Sequence, residues 1–252
     1  MKVCFNGCSF TEGAGISIDQ RDNVIYDRLI SKKLNFRSDN IALGGSSNYE
    51  IFMRSAGAIM SGKYDIVVTQ WSLLNRLCLT AGPDPGARYF VNDTENLDFR
   101  HRDLYISPTQ RKMFRDMLLL LNHDYQNILD LIDYCAILKR LAGTSTKVIF
   151  INGLIPWGHD LVYPLGPDLS TCLNVYSKSI LDFDNRSSAE VIELFKVLQD
   201  KFAELDQSLW VNIFDSFMVN RIDRTADGEH PGPLGHQWMA TQLENYLNNM
   251  HI

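Results

Sequence analysis

Short β-prone runs alternate with helical periodicity along most of this 252-residue chain. Lys2–Asn6 is an apolar run ending at Gly7, and residues 65–71 carry Ile66, Val67 and Val68, the unbroken apolar signature of a strand buried on both faces. Residues 40–43, 147–152 and 210–214 complete five predicted strands. Between them, Val24, Ile25, Leu29, Ile30 and Leu34 mark one face of a helix over 24–34. A second helix runs from Tyr49 to about Met60 with Gly62 as its stop, and a long amphipathic one covers 122–141 and ends at Gly143. Ser187 or Ser188 caps a helix through Val191, Leu194, Phe195 and Leu198. Pro233 or Leu234 opens the last helix, to about Asn248.

Strands alternating with helices predict a single-domain α/β fold, a three-layer α/β/α sandwich around a five-stranded, mostly parallel sheet. Two stretches break the rhythm, at about 77–112 and 157–186, and are expected to be irregular insertions above the sheet. Open sheets of this kind bind ligands outside the carboxyl ends of their strands. Ser9 follows the first strand, Gly45 the second, and residues 72–75 the third, so the polar and glycine-rich segments gather at that edge.

Composition narrows the function. A net charge of −6 argues against a nucleic-acid partner, which usually demands a basic surface. The longest apolar stretches, such as 117–121, are too short for a bilayer. The N-terminus reaches polar Asn6 too early for a signal peptide, so a cytoplasmic protein is expected. Five cysteines without a CxxC spacing fit reduced thiols. Acidic residues and histidines do not fall at ligand spacing, no HExxH occurs, and no glycine-rich phosphate loop follows a strand. Neither a metal nor a cofactor is expected.

The candidate chemistry lies at the two ends. Residues 5–13 read Phe-Asn-Gly-Cys-Ser-Phe-Thr-Glu-Gly, which sets Ser9 on a tight turn straight after a strand. Near the other end stands Asp227-Gly228-Glu229-His230-Pro231. A serine hydroxyl is a poor nucleophile until a base takes its proton, and the base works best when a carboxylate holds its ring. A Gly-x-Ser turn alone is commonly just a loop, and an Asp-x-x-His is commonly a capped turn. Together, in this order, they point to a nucleophile with its base. Cys8 is the alternative nucleophile, since thiolates are intrinsically stronger ones. His236 belongs to the start of the last helix, and His101, His123 and His159 stand without a partner pattern.

These segments resemble the SGNH (GDSL) hydrolase family, whose flavodoxin-like fold carries a serine, a glycine, an asparagine and a histidine in four separated blocks. The first block resembles residues 7–11, with Cys8 where the family has aspartate, and the second resembles residues 40–46, with Gly45 at the family's glycine. The last resembles residues 227–231, followed by Gly235-His236-Gln237. In the third, Leu74 takes the asparagine position without a gap, whereas a one-residue shift brings Asn75 there. Either Asn75 supplies a donor through a longer turn or the site lacks that side-chain donor.

The resemblance implies a serine ester hydrolase. Ser9 would attack, His230 would act as base, Asp227 would orient it, and the N–H groups of Ser9 and Gly45 with the Asn75 amide would form the oxyanion hole. The insertions mix aromatics with polar groups and show no apolar lid helix, which suits a short acyl group on a small-molecule or carbohydrate carrier. The rivals are acyl transfer to an acceptor hydroxyl, and a catalytically weak binding or accessory module with the same fold.

Overall fold

The computed structural model describes residues 1–72, 77–80, 88–91, 124–151, 197, 200–201, 204–211, 223–228 and 230–250. Seven strands are described: β1 (Lys2–Asn6), β2 (Arg37–Asn40), β3 (Ile66–Gln70), β4 (Leu77–Thr80), β5 (Arg88–Val91), β6 (Lys147–Ile151) and β7 (Trp210–Val211). Six helices of four or more residues accompany them: α1 (Ser9–Glu12), α2 (Ile18–Val24), α3 (Tyr26–Lys33), α4 (Asn48–Met60), α5 (Asp124–Ala142) and α6 (Pro233–Asn249).

Five strands form one parallel sheet in the order β2-β1-β3-β6-β7. This is the flavodoxin-type order, and its direction reverses between β1 and β3, where such sheets open a crevice. The predicted α/β/α architecture is therefore the observed one.

The pleat sends alternate side chains to opposite faces. Val3, Phe5, Ile66, Val68 and Ile149 join Tyr26, Ile30, Met239 and Leu243 beneath α3 and α6. Cys4, Val67, Val148 and Phe150 join Ile51, Ile59, Leu131 and Leu138 beneath α4 and α5. A capping box starts α4: Ser47 Oγ accepts from Glu50 N–H, and the Glu50 carboxylate accepts from Ser47 N–H. Gly62 and Gly143, both at positive φ, lie just past the ends of α4 and α5, as their sequence positions predict.

Three expectations need correction. The second strand is Arg37–Asn40, not 40–43. It is an edge strand of Arg, Ser, Asp and Asn, so apolar patterning passes over it; Ile41 and Leu43 instead carry its ladder into the following turn, with Ile41 N–H bonded to Phe5 O at 2.8 Å. The helix over 24–34 is broken at Ile25, which is extended (φ −72, ψ 144) and turns its side chain inward against Gly13. The insertion near 77–112 is not wholly irregular, because β4 and β5 pair as an antiparallel ribbon. The helix predicted through 191–198 lies outside the described residues save Val197, as do the insertion at 157–186 and residues 212–214 of the fifth strand.

One buried charge bears on stability. The Asp27 side chain is wholly buried, with Arg28 Nε 3.6 Å from Oδ2. Burial, offset in part by the Arg28 charge, pushes its pKa from 3.8 up to about 6. The folded chain thus holds a proton that the unfolded chain has released, so this group's contribution falls as pH rises from 3.8 to 6 and stays low above. Asp27→Asn is expected to stabilise the fold by about 1–3 kcal/mol at pH 8 and by little at pH 4.5, measured by urea denaturation at both values.

Candidate active site

The crevice edge is built from the first turn of chain after β1. Gly7 ends the strand, Cys8 stands at the helix N-cap, and Ser9 opens α1. A side chain on Gly7 would collide with Thr11 Oγ1, so this bend needs glycine. Ser9 is 8% exposed. Cys8 is fully buried in the apolar cluster under α4 and α5, so its thiol belongs to the core and not to the crevice.

The turn after β2 lies against Ser9. A Cβ built on Gly44 would stand 3.7 Å from Ser9 Cβ and 2.7 Å from Glu12 Oε2, so glycine permits this approach. Gly44 N–H donates to Glu12 Oε2 at 2.8 Å. Gly45 has φ +74, a left-handed conformation that favours glycine. Space therefore explains Gly44, and backbone conformation explains Gly45.

Residues 224–228 close against residues 230 and 231. Arg224 and Pro231 pair, and Thr225 N–H donates to His230 O at 2.9 Å. Asp227 does two things here. Its Oδ1 accepts from His230 N–H at 3.1 Å and from Thr225 Oγ1 at 2.7 Å, while Oδ2 lies 2.8 Å from His230 Nδ1. An ionised carboxylate can only accept, so Nδ1 carries the proton and Nε2 is the basic nitrogen. The capped turn and the oriented imidazole are the same structure.

Among the described residues, the Ser9 segment and the histidine loop meet at two places. The His230 ring lies 5.6 Å from the ring of Phe10, the residue after Ser9. A side chain on Gly15 would collide with Thr225, so the segment after α1 packs directly on the histidine loop. Ser9, Gly45 and the Asp227–His230 pair thus stand at one edge of the molecule. Asn75 lies outside the described residues. The strand end leading to it is tied down, because Asn48 Oδ1 accepts from Ser72 N–H at 2.7 Å and Asn48 Nδ2 donates to Ser72 O.

His236 is fully buried, stacked on Tyr26 with ring centroids 6.1 Å apart. Burial pushes its pKa from 6.5 down to about 4, so it is a neutral core imidazole. Among the described residues no group of three His, Cys, Asp or Glu could hold a metal ion, and no helix is long and apolar enough to cross a membrane.

Four supporting residues escaped the sequence reading: Glu12, Asn48, Arg54 and Asp223. Glu12 had a visible signal, since it stands one helical turn after Ser9. Asp223 had none. It lies ten residues before α6, yet its carboxylate accepts from Leu234 N–H at 3.0 Å and Gly235 N–H at 2.6 Å, the first-turn donors of that helix. It replaces the cap that Gly232 cannot provide, and glycine is needed there because a Cβ would strike its carboxylate. Asp223→Ala is expected to cost about 0.5–2 kcal/mol, with Asp223→Asn costing less, both read by chemical denaturation.

No family model matches the chain, and no curated protein matches it. Among solved structures it is similar to an acetylxylan esterase, Axe2, from Geobacillus stearothermophilus, at 13% identity and a TM-score of 0.47, covering 97% of this chain and 93% of that one. It is similar also to TesA, at 14% identity and a TM-score of 0.48 over 98% of both chains. A third is a member of the lipolytic G-D-S-L family from Veillonella parvula, at 13% identity and a TM-score of 0.46 over 97% of both chains.

Proposed function

We propose that this chain is a serine ester hydrolase of the SGNH type that removes a short acyl group, acetyl foremost, from a polar carrier such as a carbohydrate. The observation that carries the reading is the 2.8 Å contact of Asp227 Oδ2 with His230 Nδ1, on a loop whose imidazole packs against the residue following Ser9. It supports a neutral imidazole with Nε2 as the basic nitrogen, on a loop beside the turn that carries Ser9.

In this reading Ser9 Oγ bonds to the ester carbonyl carbon while its proton passes to His230 Nε2. The oxyanion is met by the N–H groups of Ser9 and Gly45, joined by the Asn75 amide if its turn reaches the site. The carbonyl–alkoxy bond then breaks, and the proton on Nε2 goes to the departing alkoxide, leaving an acyl-enzyme on Ser9. Water repeats the sequence: it gives a proton to Nε2, its oxygen bonds to the acyl carbon, and Ser9 Oγ leaves with the proton restored. Asp227 stays ionised throughout and stabilises the imidazolium. The short-acyl preference rests on the mixed aromatic and polar composition of the inserted segments.

A fluorophosphonate is expected to label Ser9 stoichiometrically, and Ser9→Ala to abolish both labelling and hydrolysis of p-nitrophenyl acetate. Asp227→Asn is expected to lower kcat by about 10²–10⁴ through loss of the working tautomer. Cys8→Ala should leave much of the activity. Faster cleavage of octanoyl than acetyl esters would defeat the short-acyl assignment, and full activity in Ser9→Ala would end the serine mechanism.

A further inference from the structure

We infer that Arg54 is a positioning residue, which holds the Ser9 turn and the Gly45 turn at a fixed separation so that their backbone N–H groups meet one oxygen. This rests on the ester-hydrolase reading above. Arg54 lies on α4, half-buried, one turn from Ile51 and beside Ser55 on the stripe that packs against the sheet. Its guanidinium spans both turns. Nε donates to Asn6 Oδ1 at 3.1 Å, and Nη2 donates to Gly7 O at 3.2 Å and to Ser46 Oγ at 2.8 Å. Asn6 and Gly7 lead into Ser9, while Ser46 follows Gly45 directly.

The partners of that fork are themselves fixed. Ser46 Oγ donates onward to Leu43 O at 2.7 Å, and Leu43 N–H donates to Gly7 O at 3.2 Å. The ring of contacts therefore runs from Gly7 through Arg54 and Ser46 to Leu43 and back to Gly7. Glu12 holds the turn from its other side through Gly44 N–H. Anchoring of α4 to the sheet is a separate matter: Asn6 Nδ2 bonds Ile51 O and Ser55 Oγ, and Ser55 Oγ bonds Thr69 Oγ1. Those contacts reach strands, whereas the Nη2 contacts of Arg54 reach the two turns. The guanidinium holds three acceptors from two rigidly spaced nitrogens, so Nε on Asn6 fixes where Nη2 meets the two turns, whereas a lysine ammonium is a single rotating donor with no second anchor.

Arg54→Lys, Arg54→Met and Ser46→Ala are tested beside Ser9→Ala, by steady-state hydrolysis of p-nitrophenyl acetate and by thermal melting. Because misplacement of reacting groups by an ångström is costly, Arg54→Lys is expected to lower kcat by about 10- to 100-fold while KM stays within about threefold. Arg54→Met should lose at least as much, and Ser46→Ala less. Ser46→Ala added to Arg54→Lys should cost little more than Arg54→Lys alone, since both break one bridge. A kcat in Arg54→Lys and Ser46→Ala within about twofold of the parent overturns the positioning role. So does a kcat that returns to the parent value once activity is normalised to the folded fraction read from the melt. If Arg54→Met does not fold, Ser46→Ala and the lysine variant still decide. Undiminished hydrolysis by Ser9→Ala instead overturns the ester-hydrolase reading, and this inference with it.

Discussion

The carbonyl oxygen of Gly7 accepts two hydrogen bonds, from Leu43 N–H and from Arg54 Nη2, each at 3.2 Å. The first continues the parallel ladder of β1 and β2 past the end of both strands, after Phe5 has paired with Asn40 and Phe5 O has taken Ile41 N–H. Sheet register and crevice geometry are therefore one quantity. A slip of one residue between β1 and β2 would turn every side chain to the wrong face and also part the Ser9 turn from the Gly45 turn. Asn40 reinforces the joint, its Nδ2 donating to Thr11 O at 2.7 Å and its Oδ1 accepting from Ala42 N–H at 3.0 Å.

The histidine enters this frame from the far end of the chain, and its placement needs a second set of constraints. Asp223 anchors the first turn of α6, Thr225 closes the loop onto His230 O, and the Tyr26–His236 stack fixes α6 against α3. Tyr26 in turn donates to Thr11 Oγ1, which donates to Gln70 Oε1, so the helix under the histidine loop and the helix bearing Ser9 share a buried polar link to β3. Contacts of this kind, and not covalent proximity, bring residues 9 and 230 to one edge.

What could be read in the chain beforehand follows from what hydrophobic patterning can see. β1, β3 and β6 are buried on both faces, so their apolar runs announce them. β2 lies at the edge with polar side chains and is silent to the same reading. The Asp227-to-His230 spacing was legible because its chemistry is local: one turn of chain lets a carboxylate hold both a backbone N–H and the ring. Asp223 and Arg54 act across ten residues or between elements, so their roles depend on a fold that no local pattern records. A cation on the buried stripe of α4, between Ile51 and Ser55, was the one trace that Arg54 left.

Asp27 and His236, both buried, have opposite habits. Burial keeps Asp27 protonated up to about 6 and His236 deprotonated down to about 4. In the interval between, the folded chain holds one proton more than the unfolded chain at Asp27 and one fewer at His236. The two slopes of stability with pH oppose each other there, falling with rising pH for the carboxyl and rising for the imidazole. Each group alone would tilt the fold toward acid or toward base. Beside the same tyrosine, both groups are uncharged only between about pH 4 and 6; above that Asp27 ionises while His236 stays neutral, so the carboxyl alone carries the cost of a buried charge at neutral pH.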